Sequence, residues 1–175
     1  MLNQLIEWYQ SKHPEFLHSN TPSSSSLDQL RYLSSDILEP IAQRFGEVYI
    51  TYGFTSHPLL LYILKHNPQH MAPTLDQHAS MEKNSRGKRI CHRDGASCDF
   101  FVRGYESDMG PIAKYICEHL KFDRLYFYGQ ANPIHISIGP DNTRYALIRQ
   151  TRSDGKRVNT KSATGNAASA LFDDL

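Results

Sequence analysis

Helix-patterned and strand-patterned segments are segregated along this chain, and that order constrains the fold more than any single residue does. From Leu27 the apolar side chains Leu30, Leu33, Ile37, Leu38, Ile41 and Phe45 recur every three or four residues, with Ser26 placed to cap the start and Gly46 to end the run. This spacing predicts a helix, bent or divided at Pro40. Leu2, Leu5, Ile6, Trp8 and Tyr9 predict a shorter helix within residues 2–12, followed by a Ser-rich loop over 19–26. A β-branched and aromatic run over 48–52 predicts a strand, and a helix is expected over 58–66. Residues 67–89 lack periodicity and read as a long surface loop, a length at which loops in compact domains tend to carry function.

The second half reads mainly as strands, at 96–102, 124–128, 134–138 and 144–148, with one helix over 110–120. Gly139-Pro140-Asp141-Asn142 between the last two strands is strong hairpin punctuation. Early helices and late paired strands imply a single α+β domain over residues 1–150, an antiparallel sheet with helices packed on it. From about Thr151 the chain is polar, with Lys156, Arg157 and Lys161, and a flexible C-terminal tail over 151–175 is expected.

Composition narrows the function classes. Lys and Arg total 19 against 18 acidic residues, so no chain-wide field favours nucleic acid or an anionic membrane. No apolar run is long enough to span a bilayer, and no basic segment followed by an apolar stretch marks an exported chain. Cys91, Cys98 and Cys117 are an odd number at spacings that suggest no disulfide framework. Together these features imply a cytoplasmic protein with reduced thiols.

The chemistry-bearing residues are concentrated around one segment. His92 and Asp99 stand seven apart with Gly95 between them, and His135 sits in an apolar run about forty residues on, two before Ser137. One imidazole and one carboxylate from a glycine-bearing segment, with a second imidazole from a later strand, is a layout that leaves a zinc ion one open position. Even spacing puts Ser137 on the same face as His135, where it would support the site. The plainer alternatives are a surface turn for His92 and Asp99 and a hydrogen-bonded core histidine for His135. A Cys/His structural site using Cys91 and Cys98 is a weaker alternative, since there is no Cys-x-x-Cys. His66, His70 and His78 crowd the long loop, where solvated residues are the simple reading; a mobile lid could instead bring one to the metal as a base or fourth ligand. On the strand at 124–128, alternation puts Phe127 toward the core and Tyr126 and Tyr128 on the opposite face.

Four of these segments, in order, resemble the zinc D-Ala-D-Ala carboxypeptidase and dipeptidase family, whose α+β fold is shared with the signalling domain of Hedgehog proteins. They are Ile50-Thr51-Tyr52-Gly53-Phe54-Thr55-Ser56, then Ile90-x-His92-x-x-Gly95-x-Ser97-x-Asp99, then Phe122-Asp123-Arg124-Leu125, and Ile134-His135-Ile136-Ser137. The resemblance implies Zn2+ as cofactor, His92, Asp99 and His135 as its ligands, and hydrolysis of a small peptide or amide. Two departures stand out. Thr55 occupies the place of an arginine that stabilises the oxyanion in that family, and Tyr126 to Pro133, including Tyr128 and Gln130, holds no acid where its general base belongs. Catalytic roles would then fall to Thr55, Tyr128 and Gln130, or to a loop acid such as Asp76 or Glu82. The alternative is a catalytically inactive zinc-binding module that recognises a ligand, a protein or nucleic acid. The basic residues Lys83, Arg86, Lys88, Arg89 and Arg93, with Arg149, Arg152, Lys156, Arg157 and Lys161, would favour an anionic ligand if the fold brings them to one cleft.

Overall fold

Helix formation begins where the sequence has both a cap and an apolar face. In the computed structural model, which describes residues 1–68 and 71–175, the chain opens with α1 (Leu2–Glu7) and α2 (Tyr9–Lys12). Next, α3 (Ser24–Leu33) is capped by Ser23, whose hydroxyl accepts from the Ser26 backbone N–H, three residues before the cap expected at Ser26. The Ser26 hydroxyl instead donates to Glu82 at 2.7 Å, and Ser23 N–H donates to the same carboxylate at 2.9 Å. The long helix is divided ahead of Pro40, by a π-turn (Ser34–Leu38) leading into α4 (Glu39–Phe45). Pro40 has no N–H to return to the preceding turn, and a wider turn accommodates that gap.

β1 (Val48–Tyr52) and α5 (His57–His66) follow, then β2 (Ala96–Val102), α6 (Gly110–His119), β3 (Arg124–Phe127), β4 (Ile134–Ile138), β5 (Tyr145–Thr151) and β6 (Arg157–Ala163). The six strands form one sheet in the order β1-β2-β4-β3-β5-β6. The fold is therefore α+β, but the sheet is mixed: β3 and β5 run parallel, with Arg124 opposite Tyr145 and Phe127 opposite Ile148.

This corrects the expected hairpin between residues 134–138 and 144–148. β4 and β5 lie on either side of β3, so the Gly139-Pro140-Asp141-Asn142 turn steps across the end of a strand. Buried Asp123 explains the crossing. The Thr143 hydroxyl donates to the Asp123 carboxylate at 2.7 Å, and the N–H groups of Arg144 and Tyr145 donate to the carbonyls of Phe122 and Asp123.

The expected flexible tail is likewise structured. β6 pairs antiparallel with β5, and a 3-10 helix (Gly165–Phe172) packs against α6. Phe172 meets the Phe127 ring edge-on at 5.3 Å and Asp173 pairs with Lys114. Residues 151–163 are polar because an edge strand exposes one face to water, so composition alone did not reveal the pairing.

Side chains alternate across this sheet. Cys98, Phe100, Leu125, Phe127, Ile134, Ile136, Ala146 and Ile148 join α3, α4 and α6 in the main core. Burying that face supplies most of the driving force for folding, at about 25 cal/mol per Å² of apolar surface. The opposite face carries polar and aromatic groups in register. Tyr52 lies opposite Asp99, Asp99 opposite His135, and His135 opposite Tyr126. A smaller hydrophobic cluster of Trp8, Phe16, Leu59 and Ile63 closes the β1 end of that face, with Trp8 against Tyr52 at 4.3 Å.

Candidate metal centre

Cross-strand register alone brings Asp99 and His135 together. Directly opposed residues of an antiparallel pair place their Cβ atoms on one face within contact distance. Here His135 Nδ1 lies 2.7 Å from Asp99 Oδ1, and the imidazole stacks on Tyr126 at 4.9 Å with 12° between the planes. Asp99 and His135 thus stand together as the sequence implies.

The third group is His78, from the long loop, and not His92. The loop returns to the sheet through specific backbone contacts. Gln77 and Ser80 adopt positive φ of 59° and 46°, and the buried Gln77 amide donates to the carbonyls of Asp94 and Ile138 at 2.7 and 3.0 Å. Thr55 N–H donates to the His78 carbonyl at 3.0 Å. Gly95 makes room for this approach: its φ is 118°, and a Cβ there would fall 1.8 Å from the Ile138 carbonyl oxygen. Gly95 therefore serves a close backbone approach at the start of β2, in addition to the turn its spacing suggests.

His78 Nδ1 lies 3.2 Å from the Gly53 carbonyl, which can only accept. Nδ1 therefore carries the hydrogen in the neutral ring, and Nε2 presents its lone pair toward Asp99 Oδ1, 3.6 Å away. This is how proteins orient a ligating imidazole, with the far nitrogen donating to a backbone carbonyl. One ligand atom from each of His78, Asp99 and His135 falls within 4.8 Å of the others. Donors around one tetrahedral zinc at about 2.0–2.1 Å stand roughly 3.3 Å apart, close to the 3.6 Å between His78 Nε2 and Asp99 Oδ1. His135 Nε2 is buried without a hydrogen-bond partner among the described residues. A core histidine held only for packing would be expected to satisfy both ring nitrogens. Two imidazoles and a carboxylate, one oriented from its far side, fit a divalent transition metal.

Electrostatics reinforce the convergence. Burial opposes ionisation of Asp99, but the hydrogen bond with His135 and the close approach of the His78 ring, together with the charge both imidazoles carry when protonated, outweigh it and hold the carboxyl well below the usual carboxylate range. Burial alone would lower the pKa of His78; contact with Asp99 and the charges of Asp99 and Asp76 reverse the sign and raise it.

The cluster opens into a cleft of about 210 Å³ lined also by Tyr52, Asp76, Tyr126, Tyr128, Arg149 and Arg157. A larger hollow of about 370 Å³ lies elsewhere, beside Gln29, Tyr32 and Asp36, and does not include the histidines.

The other expected site residues fall as follows. His92 is exposed and lines a separate surface hollow with Arg93 and Asp94. It is carried away from the metal cluster because its backbone N–H is tied to the Thr74 carbonyl. Thr55 is buried behind His78, where its backbone N–H positions that residue. Gln130 is turned away, its Oε1 accepting from Gly110 N–H at the start of α6 at 2.7 Å. Tyr128 does line the cleft. Burial pushes its phenol up to about 12, Asp99 adding to the shift and Arg157 and Arg149 partly offsetting it, so it stays protonated and cannot act as a base near neutral pH. Ser137 accepts from Arg124 N–H and so braces β3. Cys98 is in the main core, and Cys91 contacts the Thr74 carbonyl, so the two do not form a Cys/His site. Of the loop acids, Glu82 is held by Ser23 and Ser26, whereas Asp76 lines the cleft. His66 ends α5 against Tyr62, and His70 lies outside the described residues.

Among the described residues no helix is long and apolar enough to cross a membrane. No family model, curated protein or solved structure matches the chain.

Proposed function

We propose that this protein is a zinc-dependent hydrolase acting on a small peptide or amide, with His78, Asp99 and His135 as the metal ligands. The observation that carries the reading is the convergence of three donor atoms from β2, β4 and the returning loop at the floor of a cleft. Zinc in such a site supplies an acidified water and a polarised carbonyl. Hydrolysis also needs a group that accepts a proton from the water and returns it to the leaving amine. Asp76 is the one carboxylate outside the ligand set among the described residues lining the cleft, and it is assigned that task. The Tyr128 phenol, held protonated, is suited to donating a hydrogen bond to the substrate.

Metal analysis tests the ligand set. Close to one zinc per chain is expected, lost in His78→Ala, Asp99→Ala and His135→Ala and retained in His92→Ala. Protein purified without chelator and carrying no zinc, and taking up none on addition, would end the proposal.

A second reading, a zinc-binding recognition module without turnover, is favoured by one observation. The Asp76 carboxylate already accepts from Ala72 N–H at 3.1 Å and lies 3.4 Å from His78 N–H, so its lone pairs are partly engaged. Zinc binding with no hydrolysis across a panel of short peptides and amides, unchanged by Asp76→Asn, would select the module.

A further inference from the structure

The wall of the cleft farthest along the sheet from His78 has a chemistry that the metal cluster does not use. Arg149 on β5 and Arg157 on β6 both line the cleft, and their guanidinium carbons lie 5.9 and 4.4 Å from the centroid of the Tyr128 ring. Three other arginines near the sheet have carboxylate partners: Arg89 with Asp94, Arg103 with Glu47, Arg124 with Asp123. Among the described residues neither Arg149 nor Arg157 has one, and Arg149 Nε is buried with no hydrogen-bond partner. Two half-buried cations set against one ring without a carboxylate partner repel each other, and Arg149 Nε has lost water without a replacement acceptor. The arrangement is balanced if the missing acceptor arrives with a ligand.

We propose that Arg149, Arg157 and the Tyr128 hydroxyl form an oxyanion-binding subsite, which takes a carboxylate or phosphate group of a small ligand whose other end reaches the His78–Asp99–His135 cluster. The planar guanidinium fork matches both groups and binds them with charge-assisted hydrogen bonds. The Tyr128 ring holds the two forks by cation–π contact. At about 210 Å³ the cleft is smaller than the roughly 300–1,000 Å³ of sites for drug-sized molecules, which limits the ligand to a few heavy-atom groups. Only the placement of the ligand's other end rests on the metal reading.

Isothermal titration calorimetry tests the subsite, on zinc-loaded and chelator-stripped full-length protein, with inorganic phosphate, acetyl-alanyl-alanine and the C-terminal amide of that dipeptide. At least one of the two anions is expected to bind, with the amide weaker by about tenfold or more, the loss of a charge-assisted contact. Arg149→Gln, Arg157→Gln and the double variant should weaken the anion by a similar factor while keeping zinc content and thermal midpoint. The tighter of phosphate and dipeptide identifies the group. Binding of neither anion, acid and amide of equal affinity with no phosphate binding, or anion affinity unchanged in the double variant would each overturn the subsite. Anion binding in a protein that takes up no zinc would refute the metal centre and leave the subsite standing; zinc uptake without any anion response would do the reverse.

Discussion

Replacing His78 with alanine separates the ligand set assembled by the fold from the one implied by sequence spacing. Two effects act at once. In the metal-free protein the imidazole leaves a gap between Tyr52 at 4.5 Å and His135 at 5.0 Å, and Asp99 loses one of its two histidine neighbours. A buried truncation of that size costs about 2–3 kcal/mol. The second effect appears only with zinc. Ligand binding stabilises a folded protein by RT ln(1 + [L]/Kd), about 4.1 kcal/mol when zinc is at 1,000 times Kd. Loss of an outer-shell partner costs 10- to 100-fold in metal affinity, so loss of a ligand should cost about 100-fold at least. The same zinc concentration then stands at about ten times Kd, and the stabilisation drops to roughly 1.4 kcal/mol. At about 2–4 °C per kcal/mol for a chain of this size, zinc should raise the midpoint of the native protein by about 8–16 °C and that of the variant by about 3–6 °C. Differential scanning calorimetry with and without zinc reads both numbers, and the zinc-free scan removes the packing cost from the comparison. His92→Ala should keep the full zinc response. Equal zinc shifts in native and His78→Ala protein, or a response abolished in His92→Ala, would refute the assembly of the site through the loop.

Further outcomes follow from the same contacts. The metal-free protein should be most stable in mildly acidic solution: the raised pKa of His78 contributes stability that is present below its ordinary value of 6.5 and lost as pH rises through the folded value, while the depressed Asp99 contributes stability present above 3.8 and lost as pH falls toward its folded value. Asp99→Asn should flatten both limbs in urea titrations across pH; unchanged limbs would show that this pair is not linked to folding. Gly95→Ala should destabilise by about 3 kcal/mol or more, since the added carbon would fall 1.8 Å from the Ile138 carbonyl oxygen at a backbone φ of 118°, and a loss under 1 kcal/mol in denaturant melts would contradict it. Truncation after Thr151 removes β6 and the 3-10 helix, uncovering Phe127 and Ile148; it should lower the midpoint by about 10 °C or leave the chain insoluble, and a chain that melts unchanged would restore the reading of this segment as a tail.

Local signals carried the fold as far as they could. Apolar periodicity located the long helix and most of the strands, because each has one face against the same core, and alternation put Phe127 toward the core and Tyr126 and Tyr128 on the opposite face, which the structure makes the cleft side. What local pattern could not carry was strand order. A Gly-Pro-Asp-Asn turn is equally at home between adjacent strands and in a step over a strand end. The choice was made by Asp123, whose carboxylate and carbonyl hold the crossing segment from twenty residues away in the chain. β6 was hidden for a related reason: its polar sequence suits an edge strand as well as a solvated tail, and its pairing with β5, from Ala146 opposite Ala163 to Thr151 opposite Arg157, decides between them.

The site divides in the same way. Asp99 and His135 lie on paired strands, so their spacing and pattern were informative, and register completes the contact. His78 lies twenty-one residues before Asp99, and spacing that favours the nearer His92 assumes that the ligand belongs to the segment just ahead of β2. The intervening residues instead leave the sheet, pair Lys83 with Arg89, and return, so that chain distance and spatial distance part company. Asp76-Gln77-His78 is wholly polar, yet the fold buries Gln77 at 0% exposure and His78 at 7%, with Ala79 and Ser80 buried after them. A polar run drawn into the interior must find partners there, and here it finds the carbonyls of Gly53, Asp94 and Ile138. The backbone contacts that bury this run hold His78 Nε2 beside Asp99, which makes the loop part of the site's framework and ties metal affinity to loop stability. Gln77→Ala, which removes the amide tying the loop to the Asp94 and Ile138 carbonyls, should therefore weaken zinc binding by about 10- to 100-fold, the range for a supporting partner, while leaving the sheet's amide-exchange protection intact. Loss of zinc together with general loss of protection would mean instead that the loop supports the whole fold and has no selective hold on the site.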